Sequence, residues 1–407
     1  MKRGQWLIGT WPVVTSLFLF PEGLAPPCLR GRPWDKIEAG FIPGVEDSLQ
    51  LGEIGEFGLI RRLSRESLVD PSRVVRGIGD DTAVLRFNGG KYLLATCDML
   101  VEGEHFLLPG ISPRQLGHRA LAASLSDIAA MGGIPLHALV SLGLPGGSAV
   151  EVVDELYQGL KALARRWGVN LVGGDTVSSP RSLVIDVMVL GEVEPEHLVL
   201  RSGARPGDLV LVTGQLGASR AGLQVILHPE QAEGCPEHLR AEALEAHRTP
   251  LPRISEARAL VTAAAGERQG NRGQGDRRAG AVAGGVTAMA DISDGLSSDL
   301  HRIAEASGVG ARLWADRIPV APSAAELARL AGESPLEWAI HGGEDYELLF
   351  TARPEAVPAL MEAVRAATGT AVTVIGEVLP VQGEVSLVMG GGKSRPLSAG
   401  GWNHFRD

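Results

Sequence analysis

Cysteine is scarce in this 407-residue chain: Cys28, Cys97 and Cys235 are the only three. Their spacing fits neither a zinc site nor a disulfide framework, and a reducing compartment is the simplest consequence. Clustered basic charge is also missing. The net charge is −10, and outside the short 266–285 segment Lys and Arg form no cluster beyond scattered pairs, so nucleic acid is not an expected partner. There is no Walker A loop: Gly392-Lys393-Ser394 has Leu387 where the first glycine would have to sit. The protein-kinase catalytic set is absent, and no nucleophile stands beside a base. Long hydrophobic runs are lacking too. The stretch from Trp6 to Phe20 is too short and too Pro-interrupted for a membrane span, so no membrane partner is expected.

That stretch follows Lys2 and Arg3, and a basic start before an apolar run is the pattern of a secretory signal. Two readings of the 1–51 leader stand: an export or anchoring segment, or an extension unrelated to the folded enzyme. The length predicts two domains, and 44% hydrophobic residues suffice for ordinary cores. The first domain is placed at 52–197. It opens with a short helix at Gly55–Leu63, then strand-like runs at 83–87 and 92–96 around a turn at Asn88-Gly89-Gly90. A helix follows with Ser112 as N-cap, Pro113 at its first position and Gly132-Gly133 at its end. A second helix covers about 150–167, a short strand 170–173, and a longer strand 182–193. A turn-rich joint at 201–208 leads to the second domain, 205–400, interrupted by a Gly- and Arg-rich insertion at 266–285 that reads as disordered. The class is α/β (α+β).

Acidic clusters recur at expected strand ends: Asp80-Asp81, Asp98, Asp175 and Asp291-Ile-Ser293-Asp294. Ligand sites in α/β folds gather at such ends, and carboxylates there suit hard cations such as Mg²⁺. Asp127 sits within an apolar helix on the face of Ala120, Ala123 and Ser124. A carboxylate so placed is costly to bury unless paired or metal-bound. Asp291 to Gly295 opens a helix, where free N–H groups attract phosphate; a plain N-cap is the other reading. With few lysines, a phosphate site here has to neutralise charge through metal ions and backbone N–H groups, with Arg201 the one cation placed to touch phosphate.

GEFGLI, GIGDD, SLSDIAAMGG, GGDT, RSGARPGD, DISDGLSSDL and GGEDYEL occur in this order, and over residues 53–405 the chain resembles the thiamine-monophosphate kinases. Several of these motifs are shared with the wider aminoimidazole-ribonucleotide synthetase-like superfamily. The resemblance implies a two-domain fold of that superfamily, with N-terminal domains pairing in a homodimer as a β-barrel-like core, in the cytoplasm. It implies ATP-dependent phosphorylation of thiamine monophosphate to thiamine diphosphate by direct transfer. It also implies that Asp81, Thr96, Cys97, Asp98, Asp127, Asp175, Asp291 and Asp294 hold several Mg²⁺ ions. Gly174, Asp175, Arg201 and Ser293 would contact ATP, and His105, Glu344 and Trp402 the thiamine phosphate. Cys97 departs from the family, where a hydroxyl residue is usual; a thiol is a poor Mg²⁺ ligand, so a contact through the backbone carbonyl is expected. A selenide water dikinase-like enzyme would carry a reactive Cys or Sec in a Gly-rich N-terminal loop, and a hydrogenase-maturation type a C-terminal Cys; neither is present. A non-catalytic nucleotide-binding relative would have lost acidic ligands, and here the acidic set is intact.

Overall fold

The computed structural model describes residues 51–401, apart from 65–67, 69, 88 and 264–284. The leader up to residue 50, almost all of the 266–285 insertion and Trp402 therefore lie outside the described residues. Helix α1 (Leu51–Leu63) carries the GEFGLI motif and kinks at Gly55, whose φ of 62° no ordinary helical residue adopts. Strands β1 (Val74–Arg76), β2 (Ala83–Arg86) and β3 (Tyr92–Val101) follow, then α2 (Pro113–Ala130) and β4 (Ile134–Pro145). The first half closes with α3 (Val150–Trp167), β5 (Asn170–Ser179) and β6 (Val184–Val193). These strands form one sheet in the order β1-β2-β3-β6-β4-β5, antiparallel except for β4 against β5.

Two expected strands run further than the sequence pattern suggests. β3 continues past Thr96 to Val101 because β6 pairs with it along its whole length, from Tyr92 opposite Val193 to Val101 opposite Val184. β5 continues through Asp175 to Ser179, held parallel to β4. Asp98 and Asp175 are thus inside strands rather than at strand ends. Backbone pairing supplied by neighbours outweighs the poor strand propensity of a single Asp.

Helix α2 begins where expected. Ser112 accepts from the Gln115 N–H and Gln115 returns a bond to the Ser112 backbone, a complete capping box. It is buried almost all round because it packs on β3, β6 and β4 on one side and on α3, α6 (Ile254–Ala263) and β8 (Val286–Asp291) on others. The crossing with α3 is close. A Cβ at Gly117 would lie 2.0 Å from the Leu156 carbonyl oxygen, and one at Gly159 1.8 Å from that of Arg114.

The second half builds a seven-stranded sheet from β7 (Leu209–Thr213), β8, β9 (Gly310–Trp314), β10 (Leu348–Ala352), β11 (Val372–Leu379), β12 (Val385–Val388) and β13 (Ser394–Pro396). Its order is β13-β12-β9-β11-β7-β10-β8. Around it lie α4 (Ala218–Leu227), α5 (Glu237–Arg248), α6, α7 (Leu296–Ser307), α8 (Pro322–Ala331), α9 (Pro335–His341) and α10 (Val357–Thr368). One apolar cluster joins residues of both halves, from Leu94 and Leu125 to Met289 and Phe350. That shared core fixes α2 against β8, and so sets the two acid-bearing regions face to face. Among the described residues no helix is long and apolar enough to cross a membrane.

Candidate active site

The loop 77–81 before β2, helix α2 and the end of β8 deliver Asp81, Asp127 and Asp291 to one point. One carboxylate oxygen of each lies within 4.8 Å of the others. Hydroxyl groups orient the acids. Ser126 donates to Asp291 at 2.7 Å, Thr96 on β3 donates to Asp127, and Ser124 donates to Asp98 at 2.8 Å. Because Ser124, Ser126 and Asp127 share about one turn of α2, one helix aligns three of the acids.

Arg201 is a cation of this cluster. Its guanidinium pairs with Asp81, and its backbone N–H donates to Asp80 at 3.1 Å. Arg76 pairs with Asp80 at 3.2 Å, and the two guanidiniums still do not balance the charge. Burial pushes the Asp291 carboxyl up to about 7, and the neighbouring Asp81 adds to it against the Ser126 hydrogen bond. Burial, then Asp98, Asp291 and Asp81, hold Asp127 well above the usual carboxylate range. Asp98 is raised by burial, opposed by the Ser124 hydroxyl and reinforced by Asp186. Asp80 is pushed up to about 6 by burial and by Asp81. Asp81 Oδ2 and Asp291 Oδ1, both buried, have no hydrogen-bond partner among the described residues. An all-oxygen donor set with surplus negative charge and orphaned oxygens fits a hard divalent cation.

Asp98 also lines the adjoining cavity of about 950 Å³, together with Cys97, His105, Ser293, Asp294 and Glu344. His105 Nδ1 accepts the Val101 N–H at 3.1 Å, which leaves the proton of a neutral ring on Nε2. Ser293 and Asp294 precede α7, whose first turn starts at Gly295 with φ of 108°. Asp294 pairs with Arg302, which also holds the buried Asp299. Glu344 pairs with the buried Arg119. Gly400 and Gly401 line the same cavity, and the Gly401 N–H donates to Ser298 at 2.9 Å.

Three expected residues lie apart from the triad of acids. Asp175 is exposed on edge strand β5, bonded to the Thr176 N–H, with Gly174 next to it. It pairs with Ser141, which pairs with Asp186, which pairs with Met99. In-register residues share a face and successive ones alternate, so Asp175 points to the face opposite Asp98, roughly 14 Å across from β3. The Cys97 side chain is on that same opposite face, since Thr96 and Asp98 both reach toward α2. The arrangement also holds residues that sequence reasoning passed over: Ser126, Arg119, His247, Asp186, Asp299 and Arg302; Ser124 was expected on the face of Asp127, but only as a small neighbour. The hydroxyls flanking Leu125 in SLSD and the lone Arg119 in an apolar helix were the available signals.

The description "AIR synthase related protein" fits both halves: its N-terminal domain matches residues 79–193 and its C-terminal domain residues 205–388. The fold and its acidic cleft are thus those of a two-domain AIR synthase-related protein. The thiamine-monophosphate kinase of Bacillus subtilis (strain 168) is 36% identical over 354 residues, 86% of this chain and 99% of that protein. That of Aquifex aeolicus (strain VF5) is 33% identical over 357 residues, 88% of this chain and 100% of that protein. The solved structure of AaThiL complexed with AMPPCP and TMP superposes with a TM-score of 0.71 at 32% identity, covering 88% of this chain and 99% of that one. The chain belongs to the thiamine-monophosphate kinase family.

Proposed function

We propose that this chain phosphorylates thiamine monophosphate to thiamine diphosphate with ATP, by direct transfer between the two phosphates. The relative solved with AMPPCP and TMP holds an ATP analogue and this acceptor together. In this chain the observation that carries the reading is the meeting of Asp81, Asp127 and Asp291 from both halves beside a cavity large enough for the reactants. Phosphoryl transfer needs positioning and charge neutralisation more than covalent chemistry.

Asp81, Asp127 and Asp291, with Thr96, Asp98 and Asp294 around them, are the residues that would hold Mg²⁺. Bound there, Mg²⁺ supplies the screening that lets two anionic phosphates approach. Cys97 contributes through its backbone carbonyl, its thiol being on the other face of the sheet. Arg201, anchored on Asp81, and Ser293 at the start of α7 contact the nucleotide. His105 and Glu344 face the thiamine phosphate. Trp402, which lies outside the described residues, would stack on the thiazolium ring, a cation–π contact of roughly 0.5–2 kcal/mol.

The working unit is a cytoplasmic homodimer of chains with domains at 52–197 and 205–400. Met99, Met188 and Val177 are exposed apolar residues on the open sheet face that also carries Asp175, a surface suited to a second copy. Pairing of the N-terminal sheets would close them into a barrel-like core. Asp175 and Gly174 would then reach a nucleotide and its metal across the subunit boundary.

ADP release by the full chain, with thiamine monophosphate present and absent, tests the reaction. The expected result is ADP formed in step with thiamine diphosphate and only when the acceptor is added. ADP release that ignores thiamine monophosphate but answers to another phosphate acceptor would place the chain elsewhere in the superfamily.

A further inference from the structure

Arg119 is a charged side chain at 1% exposure in the middle of α2. Its guanidinium sits between the two halves of the chain and is met by three groups. It lies 2.9 Å from His247 Nε2 on α5, donates to the His105 carbonyl oxygen at 3.1 Å, and pairs with the Glu344 carboxylate. A guanidinium only donates, so His247 Nε2 accepts and the imidazole proton sits on Nδ1. That nitrogen faces Ser219 Oγ at 3.0 Å and Glu344 Oε2 at 3.6 Å. Burial, then Arg119 and Glu344 acting in opposite senses, leave His247 pushed down to about 4 and hence neutral.

Glu344 is held from its backbone as well. Its φ is 63°, a left-handed conformation uncommon for a residue with a Cβ, and its N–H donates to the Ser293 carbonyl oxygen at 2.7 Å. A strained backbone and a buried guanidinium are both costly, and they persist where the surroundings over-determine them. Here both fix one carboxylate on the wall of the 950 Å³ cavity. Burial alone would raise the Glu344 carboxyl; the Arg119 guanidinium outweighs it and keeps it below its ordinary value.

We propose that Arg119 is a positioning residue for the phosphate acceptor: with His247 it fixes Glu344 so that the carboxylate meets the heteroaromatic end of the acceptor, which joins a cationic thiazolium to an amino-bearing pyrimidine. This rests on the function proposed above and adds how recognition of the acceptor is built. Arg119 touches neither the triad of acids nor the nucleotide side of the site, so its effect separates from phosphate handling.

The test is steady-state kinetics of the full chain, varying thiamine monophosphate and ATP in turn. Arg119→Met is expected to raise KM for thiamine monophosphate roughly 10- to 100-fold, with kcat and KM for ATP within about threefold. His247→Leu should move the same constant in the same direction. His247→Gln keeps an oxygen to accept from Arg119 and should recover most of the loss. Glu344→Gln combined with Arg119→Met should be no worse than the worse single change, since both act on one group. An unchanged acceptor KM in Arg119→Met, an equal rise in KM for ATP, or additive losses in the double variant would overturn the proposal. His247→Leu leaves the buried charge in place and carries the test if Arg119→Met fails to fold. A wild-type chain without acceptor-dependent turnover removes the proposed function and this inference together; normal wild-type turnover with an unmoved acceptor KM in the variants removes this inference alone.

Discussion

Asp127→Asn separates charge from shape at the acidic cluster. The amide is nearly isosteric and keeps an oxygen to accept from Thr96, so packing and that hydrogen bond survive. Each pair of ionised carboxylates at 4.8 Å repels by about 3 kcal/mol at an effective dielectric near 20. The wild-type cluster eases this by holding protons more tightly, since burial and its neighbours push Asp291 up to about 7 and Asp127 well above the usual carboxylate range. A neutral amide at position 127 therefore takes little from the metal-free protein. The variant should melt within a degree or two of wild type in EDTA. With Mg²⁺ the two should part. At a hundredfold excess over Kd a bound ion stabilises wild type by about 2.7 kcal/mol, several degrees in Tm, and the variant should lose most of that shift. Turnover should fall by about two orders of magnitude or more, with a higher Mg²⁺ requirement. Thermal melts in EDTA and across a Mg²⁺ series, beside rates at each concentration, make the comparison. A variant destabilised in EDTA that keeps the Mg²⁺ shift and near-normal rates would refute the reasoning.

Three further outcomes follow from the same structure. The acids of the cluster bind protons more tightly folded than unfolded, so metal-free stability should fall as pH rises from about 4 through 7, the window set by Asp291. Mg²⁺ stabilisation should grow across the same window, and melts at stepped pH with and without the ion would show a flat profile if the acids were not coupled. Gly117→Ala would put a methyl 2.0 Å from the Leu156 carbonyl, so α2 and α3 must separate; a loss of about 1–3 kcal/mol is expected by urea unfolding. Cys97→Ser should leave the Mg²⁺ activation curve within about twofold, because the side chain is on the sheet face away from Asp127; a marked drop in the Mg²⁺ requirement would give the thiol's position a direct role.

Much of the fold was readable because its signals are local. The Ser112-Pro113 start of α2 is a capping box written in adjacent residues, and the β2–β3 hairpin follows from a Gly-rich turn between apolar runs. The lengths of β3 and β5 were not readable. Both strands continue through an Asp because a neighbouring strand pairs beyond it, and pairing partners are far away in sequence. The same holds at the site. That Asp81, Asp127 and Asp291 carry special chemistry could be suspected from acids beside glycines and from one acid in an apolar helix. That Arg119 belongs to Glu344, across 225 residues, could not.

By itself the sequence determined the helix starts, the tight turns, the residue types able to hold a hard cation, and the family. Those depend on propensity and on the chemistry of individual side chains. Only the tertiary structure decided that α2 bridges two halves, that Asp98 and Cys97 look out on opposite faces of one strand, and that Asp175 stands on an outer edge. Those depend on register and on a shared core, where a shift of one residue reverses every side chain, and no short stretch of chain records such a choice.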